Sequence, residues 1–158
     1  IYCLDTSALI NPFKKLYQPD MFGSIWEDHL PAMVLLSTVV SSRQVLLEIE
    51  KQEDDLAEWA AEHKEMFEEV DDATAAHVTT LMDTYDMLTK GNRNEADPFV
   101  VAHAMAGAPK LTVVSEEGNG KPAPKKQNIP FICSEQSVRC ITFNAFLRET
   151  GWRERSRK

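Results

Sequence analysis

The stretch Asn94-Glu95-Ala96-Asp97-Pro98-Phe99-Val100-Val101-Ala102-His103-Ala104-Met105-Ala106-Gly107 constrains the fold more than any other. Asp97 followed by Pro98 predicts a helix start. An Asp side chain can cap free N–H groups of a first turn, and proline is tolerated at the first helical position. Gly107 and Pro109 predict its stop. Between them the residues are apolar nearly all the way round, so the helix must be packed between other elements. Asp97 therefore stands at the mouth of a buried helix. It is either a cap worth roughly 1 kcal/mol or a carboxylate aimed into a site. The choice turns on whether other acids arrive at the same place.

Short apolar runs flank that helix in the sequence. Ile1 to Leu4 is continuous, ends at Asp5, and predicts a central parallel strand covered on both faces. Thr6 and Ser7 turn the chain, and Ala8 to Ile10 start a short helix limited by Pro12. Pro19 to Leu30 reads as loop, then helix. Met33 to Val40 is a second strand, with helix open for its first half. Ser41 and Ser42 cap a helix reaching about Gln52, with Val45, Leu46 and Ile49 inside and Glu48 at the edge of that face. Asp54 to Val70 and Ala73 to Leu88 carry amphipathic spacing and predict a helical hairpin appended to the sheet. Leu111 to Val114 is a strand ending at Ser115-Glu116-Glu117, and Gly118 to Asn128 is a loop rich in Gly, Pro and Lys. Ile129 to Ile132 and Arg139 to Phe143 read as strands, Ser134 to Val138 as a helical turn between them, and Asn144 to Thr150 as a last helix. Strands alternating with helices imply an α/β domain with a mostly parallel sheet and right-handed crossovers. Residues 1–152 are expected to form one domain, with 153–158 as a frayed tail.

At 158 residues the chain is long enough to bury a real core. Its net charge of −8 argues against a general nucleic-acid coat protein. The charge is uneven, however. Glu48 to Asp72 is strongly acidic, whereas Lys121, Lys125 and Lys126 make a basic loop, and Arg148, Arg153, Arg155, Arg157 and Lys158 make a basic tail. An RNA-facing surface therefore stays open. No apolar run approaches the roughly 18 residues of a membrane span, and no stretch reads as a signal peptide. Cys3, Cys133 and Cys140 lack metal-ligand spacing. They read as reduced core residues of a cytoplasmic protein, with Cys3 and Cys140 in apolar surroundings. His63 and His103 read as core histidines, and Trp26, Trp59 and Trp152 as packing residues.

In an open parallel sheet, ligands bind beyond the carboxyl ends of the strands. Asp5 ends the first strand, and Glu116 and Glu117 end another. Asp97 opens a helix that starts from the same rim, and so does the helix carrying Glu48. Two carboxylates about 4 Å apart repel by roughly 4 kcal/mol at an effective dielectric of about 20. A nest of them either holds protons or holds a hard cation. Oxygen ligands alone point to Mg²⁺ or Mn²⁺ and not to zinc. Such a nest suits phosphodiester hydrolysis.

These residues resemble a known family. Asp5-Thr6-Ser7-Ala8-Leu9-Ile10 after a strand looks like the opening of PIN domains, and Val45-Leu46-Leu47-Glu48-Ile49 is similar to their second acidic motif. Ala96-Asp97-Pro98-Phe99-Val100-Val101-Ala102-His103-Ala104 resembles the third motif, and Val113-Val114-Ser115-Glu116-Glu117 the strand end that carries the fourth acid. The ordered set spans most of the chain, and the closest likeness is to a small PIN-like subgroup of unassigned function. The resemblance implies a three-layer α/β/α fold with a sheet of four to five strands. It also implies a Mg²⁺- or Mn²⁺-dependent endoribonuclease, often the toxin of a toxin–antitoxin pair. RNA is then the substrate, an antitoxin the protein partner and a homodimer the expected assembly. Carried over by position, Asp5, Glu48 and Asp97 are metal ligands. The fourth acid falls two residues after a Ser or Thr, which selects Glu117. This chain departs from the family in having Glu there, in the adjoining Glu116, and in Gly118-Asn119-Gly120 where an aromatic is common. Ser7 matches the small polar residue beside the first acid, where it orients a ligand or water. A non-catalytic PIN-like interaction module and a structure-specific DNA nuclease are the competing readings.

Overall fold

The first apolar run is the middle of the sheet. In a computed structural model, which describes residues 1–85, 95–118 and 128–154, β1 covers Tyr2–Leu4. It pairs in parallel with β2 (Val39–Ser42) on one side and β4 (Thr112–Val114) on the other, so that Cys3 lies between Val40 and Val113. β3 (Phe67–Glu68) adds beyond β2, and β5 (Cys140–Ile141) adds beyond β4. The five strands are all parallel, in the order β3-β2-β1-β4-β5. The described residues hold eight α-helices: α1 (Ser7–Asn11), α2 (Leu30–Leu35), α3 (Arg43–Glu50), α4 (Asp55–Glu62), α5 (Asp72–Thr84), α6 (Asp97–Ala106), α7 (Ile129–Glu135) and α8 (Phe143–Glu149). The fold is a three-layer α/β/α arrangement. No helix among the described residues is long and apolar enough to cross a membrane.

Alternation along β1 directs side chains to both layers. Cys3 points to α6, its thiol 3.9 Å from the Val100 carbonyl oxygen. Tyr2 points the other way and meets Phe146 of α8 edge-on, with ring centroids 5.0 Å apart. α6 crosses β1, β2 and β4, and α5 packs on its outer side. Val100, Val101, Ala102 and Ala104 are fully buried, as an all-round apolar helix requires. Burying each valine stabilises the fold by about 1.5–3 kcal/mol. At its end, a Cβ on Gly107 would stand 2.9 Å from the Pro109 carbonyl oxygen and from Leu111. Only glycine leaves room for the turn into β4.

The opposite layer is held by aromatic packing. The Trp26 ring stacks on Phe143 at 5.9 Å and meets Phe13 and Trp59 edge-on at 4.9 and 5.4 Å. Its indole N–H donates to the Tyr17 carbonyl oxygen, and that of Trp59 to the Trp26 carbonyl oxygen. The tryptophans are packing residues. His63 stacks on Trp59, and His103 pairs with Glu68 at 2.9 Å. Cys3 and Cys133 are buried, Cys140 is half-buried, and all three are free thiols.

Several segments depart from expectation. The helix predicted from Asp54 to Val70 stops at Glu62, where His63 leaves helical geometry. A 3₁₀ turn over Lys64–Met66 then leads into β3. Met66 and Phe67 are consecutive and both buried. Phe67 and Glu68 lie opposite Ser41 and Ser42, on an edge of β2 that would otherwise present unpaired backbone groups. The two helices expected as an appended hairpin, α4 and α5, are thus separated by a strand of the sheet. The strand predicted at Ile129 to Ile132 is helical: Asn128 caps Phe131 N–H at 3.0 Å, and Pro130 sits in the first turn. Met33 to Leu35 belongs to α2, and the second strand starts only at Val39. α5 ends at Thr84, short of the expected Leu88, where Tyr85 takes up an extended conformation. Leu88 itself, the loop lysines Lys121, Lys125 and Lys126, and Arg155, Arg157 and Lys158 of the tail lie outside the described residues.

Candidate functional site

Asp5 follows β1 directly and is 1% exposed. Its carboxylate is surrounded by neutral donors. The Ser7 hydroxyl donates to Oδ1 and Oδ2 at 2.8 and 2.9 Å, and the Ala8 N–H to Oδ1 at 2.7 Å. The Ser115 hydroxyl donates to Oδ2 at 2.7 Å. Burial nonetheless raises its pKa from the ordinary 3.8 to about 7, and the nearby Glu117 charge adds to the rise. The hydrogen bonds from Ser115, Ala8 and Ser7 work in the opposite direction.

Asp97 is the first residue of α6, not its cap. Ala96 holds the cap position and offers no side-chain cap hydrogen bond. Freed from capping, the Asp97 carboxyl faces the other acids. Its pKa is pushed up by burial first, then by the charges of Glu117 and Asp5, a side-chain hydrogen bond with Glu117, and the charge of Glu48. The four acids assigned from the sequence therefore share one neighbourhood at the carboxyl rim of the sheet.

Glu48 straps two parts of that rim together. Its Oε2 accepts the Thr6 hydroxyl at 2.6 Å, and its Oε1 accepts the Ala96 N–H at 2.9 Å. One is the residue after Asp5, the other the residue before Asp97. Glu48 reaches them because Ser42 caps α3, its hydroxyl accepting the Gln44 N–H at 3.2 Å, and so fixes where that helix begins.

The adjoining acids at the end of β4 diverge. Glu117 lies toward Asp97 and Asp5, and its Oε2 accepts the Ile129 N–H of α7 at 2.8 Å. Glu116 accepts the Phe143 N–H of α8 at 2.7 Å through Oε1. The sequence reading did not find roles for Thr6, Ser115 or Ala96. Thr6 and Ser115 carry a visible signal, since each is a hydroxyl residue adjoining a strand-end acid. Ala96 acts through its backbone, which leaves none.

Among the described residues, no three acid, histidine or cysteine side chains are placed to hold a metal ion as they stand. The donor set is nevertheless that of a hard cation: carboxylate oxygens only, with hydroxyls behind them. Asp97 and Glu117 are joined by a hydrogen bond that needs a proton on one of the two. Among the described residues, no cationic side chain contributes to the shift at Asp5 or Asp97. On that chemistry the residues fit a divalent ion.

Beside Glu48, a cleft of about 380 Å³ is lined by Gln44, Leu47, Glu48, Glu50, Lys51 and Glu95. Its acids outnumber its one lysine, so it favours a cationic group over a phosphate.

A protein-family model described as a domain of unknown function (DUF4411) matches residues 2–154. No curated protein and no solved structure matches the chain.

Proposed function

The chain belongs to the DUF4411 family, and we propose that it is a divalent-metal-dependent endoribonuclease hydrolysing RNA phosphodiester bonds. The observation that carries the proposal is the gathering of Asp5, Glu48, Asp97 and Glu117 at one rim, where Asp97 is raised by the charges of the other three. The ordered resemblance to PIN domains supports the same reading.

Asp5, Glu48, Asp97 and Glu117 would hold Mg²⁺ or Mn²⁺. The chemistry such an ion supplies is neutralisation of phosphate charge and acidification of the attacking water. The chain's own residues prepare the place for it. Ser7, Ser115 and the Ala8 N–H fix both oxygens of Asp5. Glu48 holds the approaches to Asp5 and Asp97 at a constant separation through Thr6 and Ala96. Ligand carboxylates must be ionised, so Asp97, raised by burial and by its neighbours, would have to give up its proton to hold such an ion. Water then adds to phosphorus as the bond to the 3′ oxygen breaks, giving a 3′-hydroxyl and a 5′-phosphate. No side-chain nucleophile takes part.

The toxin–antitoxin assignment belongs to this reading through the resemblance, and the cytoplasmic location through the free thiols Cys3, Cys133 and Cys140. The acidic cleft beside Glu48 suits an Arg or Lys side chain of an antitoxin. The competing reading is a non-catalytic module that pairs with a second copy or a partner protein. It draws on Leu35 and Leu36, which are 80% and 74% exposed. A nuclease acting on structured DNA would use the same acids. Purified protein incubated with mixed RNA, and separately with structured DNA, in Mg²⁺ or Mn²⁺ decides among these. RNA cleavage lost in Asp97→Asn supports the proposal, whereas cleavage that survives it defeats the assignment.

A further inference from the structure

We propose that Glu116 is a positioning residue of the candidate site, tying the end of β4 to α8 so that Glu117 alone presents its carboxylate to Asp97 and Asp5. This inference rests on the metal-site reading above and assigns the two adjoining acids different work.

Past Val114 the chain leaves β4 and bends at Glu117. Ser115 faces Asp5, with its hydroxyl 2.7 Å from Oδ2. Glu116 points away from it, and its Oε1 accepts the Phe143 N–H at 2.7 Å. Glu117, at the bend, lies toward the aspartates, and its charge acts on both Asp5 and Asp97. Glu116 is absent from the charges felt by either aspartate.

The partner of Glu116 explains why it turns outward. Phe143 is the first residue of α8, and its N–H is one of the groups a helix cannot satisfy internally. Thr142 caps the same helix but serves the Ala145 N–H, at 3.2 Å. The Phe143 N–H is left for Glu116, at the helix end that favours negative charge. The backbone completes the tie. The Glu116 N–H donates to Ser7 Oγ at 3.0 Å, and that hydroxyl in turn donates to both oxygens of Asp5. The Glu117 N–H donates to Ser115 Oγ at 3.1 Å, while its carboxylate is held by Ile129. The strand end is thus fastened between α8 and α7. Two neighbouring acids that repel each other are sorted, one to the helix and one to the site.

The test compares Glu116→Gln, Glu116→Ala and Glu117→Gln with the parent chain by calorimetric titration of Mn²⁺ alone. Amide hydrogen exchange at Ile129 is followed in the metal-free proteins. A glutamine at this position still offers a carbonyl oxygen to the Phe143 N–H. Glu116→Gln is therefore expected to keep Mn²⁺ affinity within about threefold and Ile129 protection intact. Glu116→Ala is expected to weaken Mn²⁺ about tenfold or more and to speed Ile129 exchange, because Glu117 loses its orientation. Glu117→Gln weakens Mn²⁺ at least as much. If Glu116→Gln loses Mn²⁺ as severely as Glu117→Gln, Glu116 is itself a ligand and the inference is overturned. It is equally overturned if Glu116→Ala leaves both affinity and Ile129 exchange untouched. A parent chain that takes up no Mn²⁺ defeats the proposed function. Ile129 exchange in Glu116→Ala, measured without metal, then still decides whether Glu116 orients Glu117.

Discussion

Asp97 and Glu117 join their carboxyl groups in a hydrogen bond at the mouth of α6. Two acids can do this only while one of them keeps its proton. With Asp5 raised to about 7 by burial, both aspartates of the rim resist ionisation.

Metal-free stability should therefore fall as pH rises. A carboxyl whose pKa is higher in the folded chain binds more protons there than when unfolded, which favours the fold at low pH. For Asp5 this contribution is complete below 3.8 and lost as pH rises through about 7. The upward shift of Asp97 has the same sign. The metal-free protein is expected to melt about 4 °C or more lower at pH 8 than at pH 6, and Mn²⁺ should recover the difference. Thermal scans at both pH values, with and without Mn²⁺, check this. Equal melting temperatures in the metal-free scans would mean that these acids ionise without strain on the fold.

Asp97→Asn separates function from stability. It removes an acid whose ionisation is opposed by burial and by three neighbouring charges, so the metal-free protein should melt a few degrees higher at pH 8. Mn²⁺ affinity and RNA cleavage should each drop about 100-fold or more. A variant that is both less stable and still active contradicts the account of the site.

Glu48 allows a finer comparison. Glu48→Ala strands the Ala96 N–H and the Thr6 hydroxyl, at a cost of about 1–3 kcal/mol. Glu48→Gln can serve both groups, its carbonyl accepting from Ala96 and its amide donating to Thr6. Denaturant titration should show the alanine variant clearly destabilised and the glutamine variant near the parent. Cleavage should fall in both, because both lose the charge.

Trp26 tests the aromatic layer apart from the site. Its ring is 1% exposed and packs on Phe13, Trp59 and Phe143. Trp26→Ala should cost about 3–5 kcal/mol of unfolding free energy, measured by urea denaturation. A loss below about 1 kcal/mol would mean that the layer closes over the gap.

What the sequence revealed depended on how local each cause is. β1 and β4 are continuous apolar runs that end in acids, and α6 is apolar on every side, so the centre of the sheet and its covering helix were legible. β3 was not, because it has two residues and its Phe67 continues the helical spacing of Leu56, Trp59 and His63. Ile129, Phe131 and Ile132 give α7 the apolar density of a strand, although Asn128 and Pro130 carry a helix-start signature. At the site, the strand ends at Asp5 and at Glu116-Glu117 and the helix start at Asp97 were enough to bring acids to one rim, and the resemblance singled out Glu117. The division between Glu116 and Glu117 depends on Phe143, a residue far along the chain, and pattern within the motif does not contain it. The same holds for Ala96, whose contribution is an N–H common to nearly every residue.

The order β3-β2-β1-β4-β5 has a consequence for the chain as it leaves the ribosome. The central strand emerges before α1 to α6, yet its second neighbour, in the register Tyr2 opposite Thr112, follows all of them. Until that neighbour arrives, one side of β1 has no partner, and Asp5 lacks the Ser115 hydroxyl. Contacts so distant in sequence make for slow folding. No nascent chain stopping short of Glu117 can assemble the acidic rim, so any activity that depends on it switches on late in synthesis.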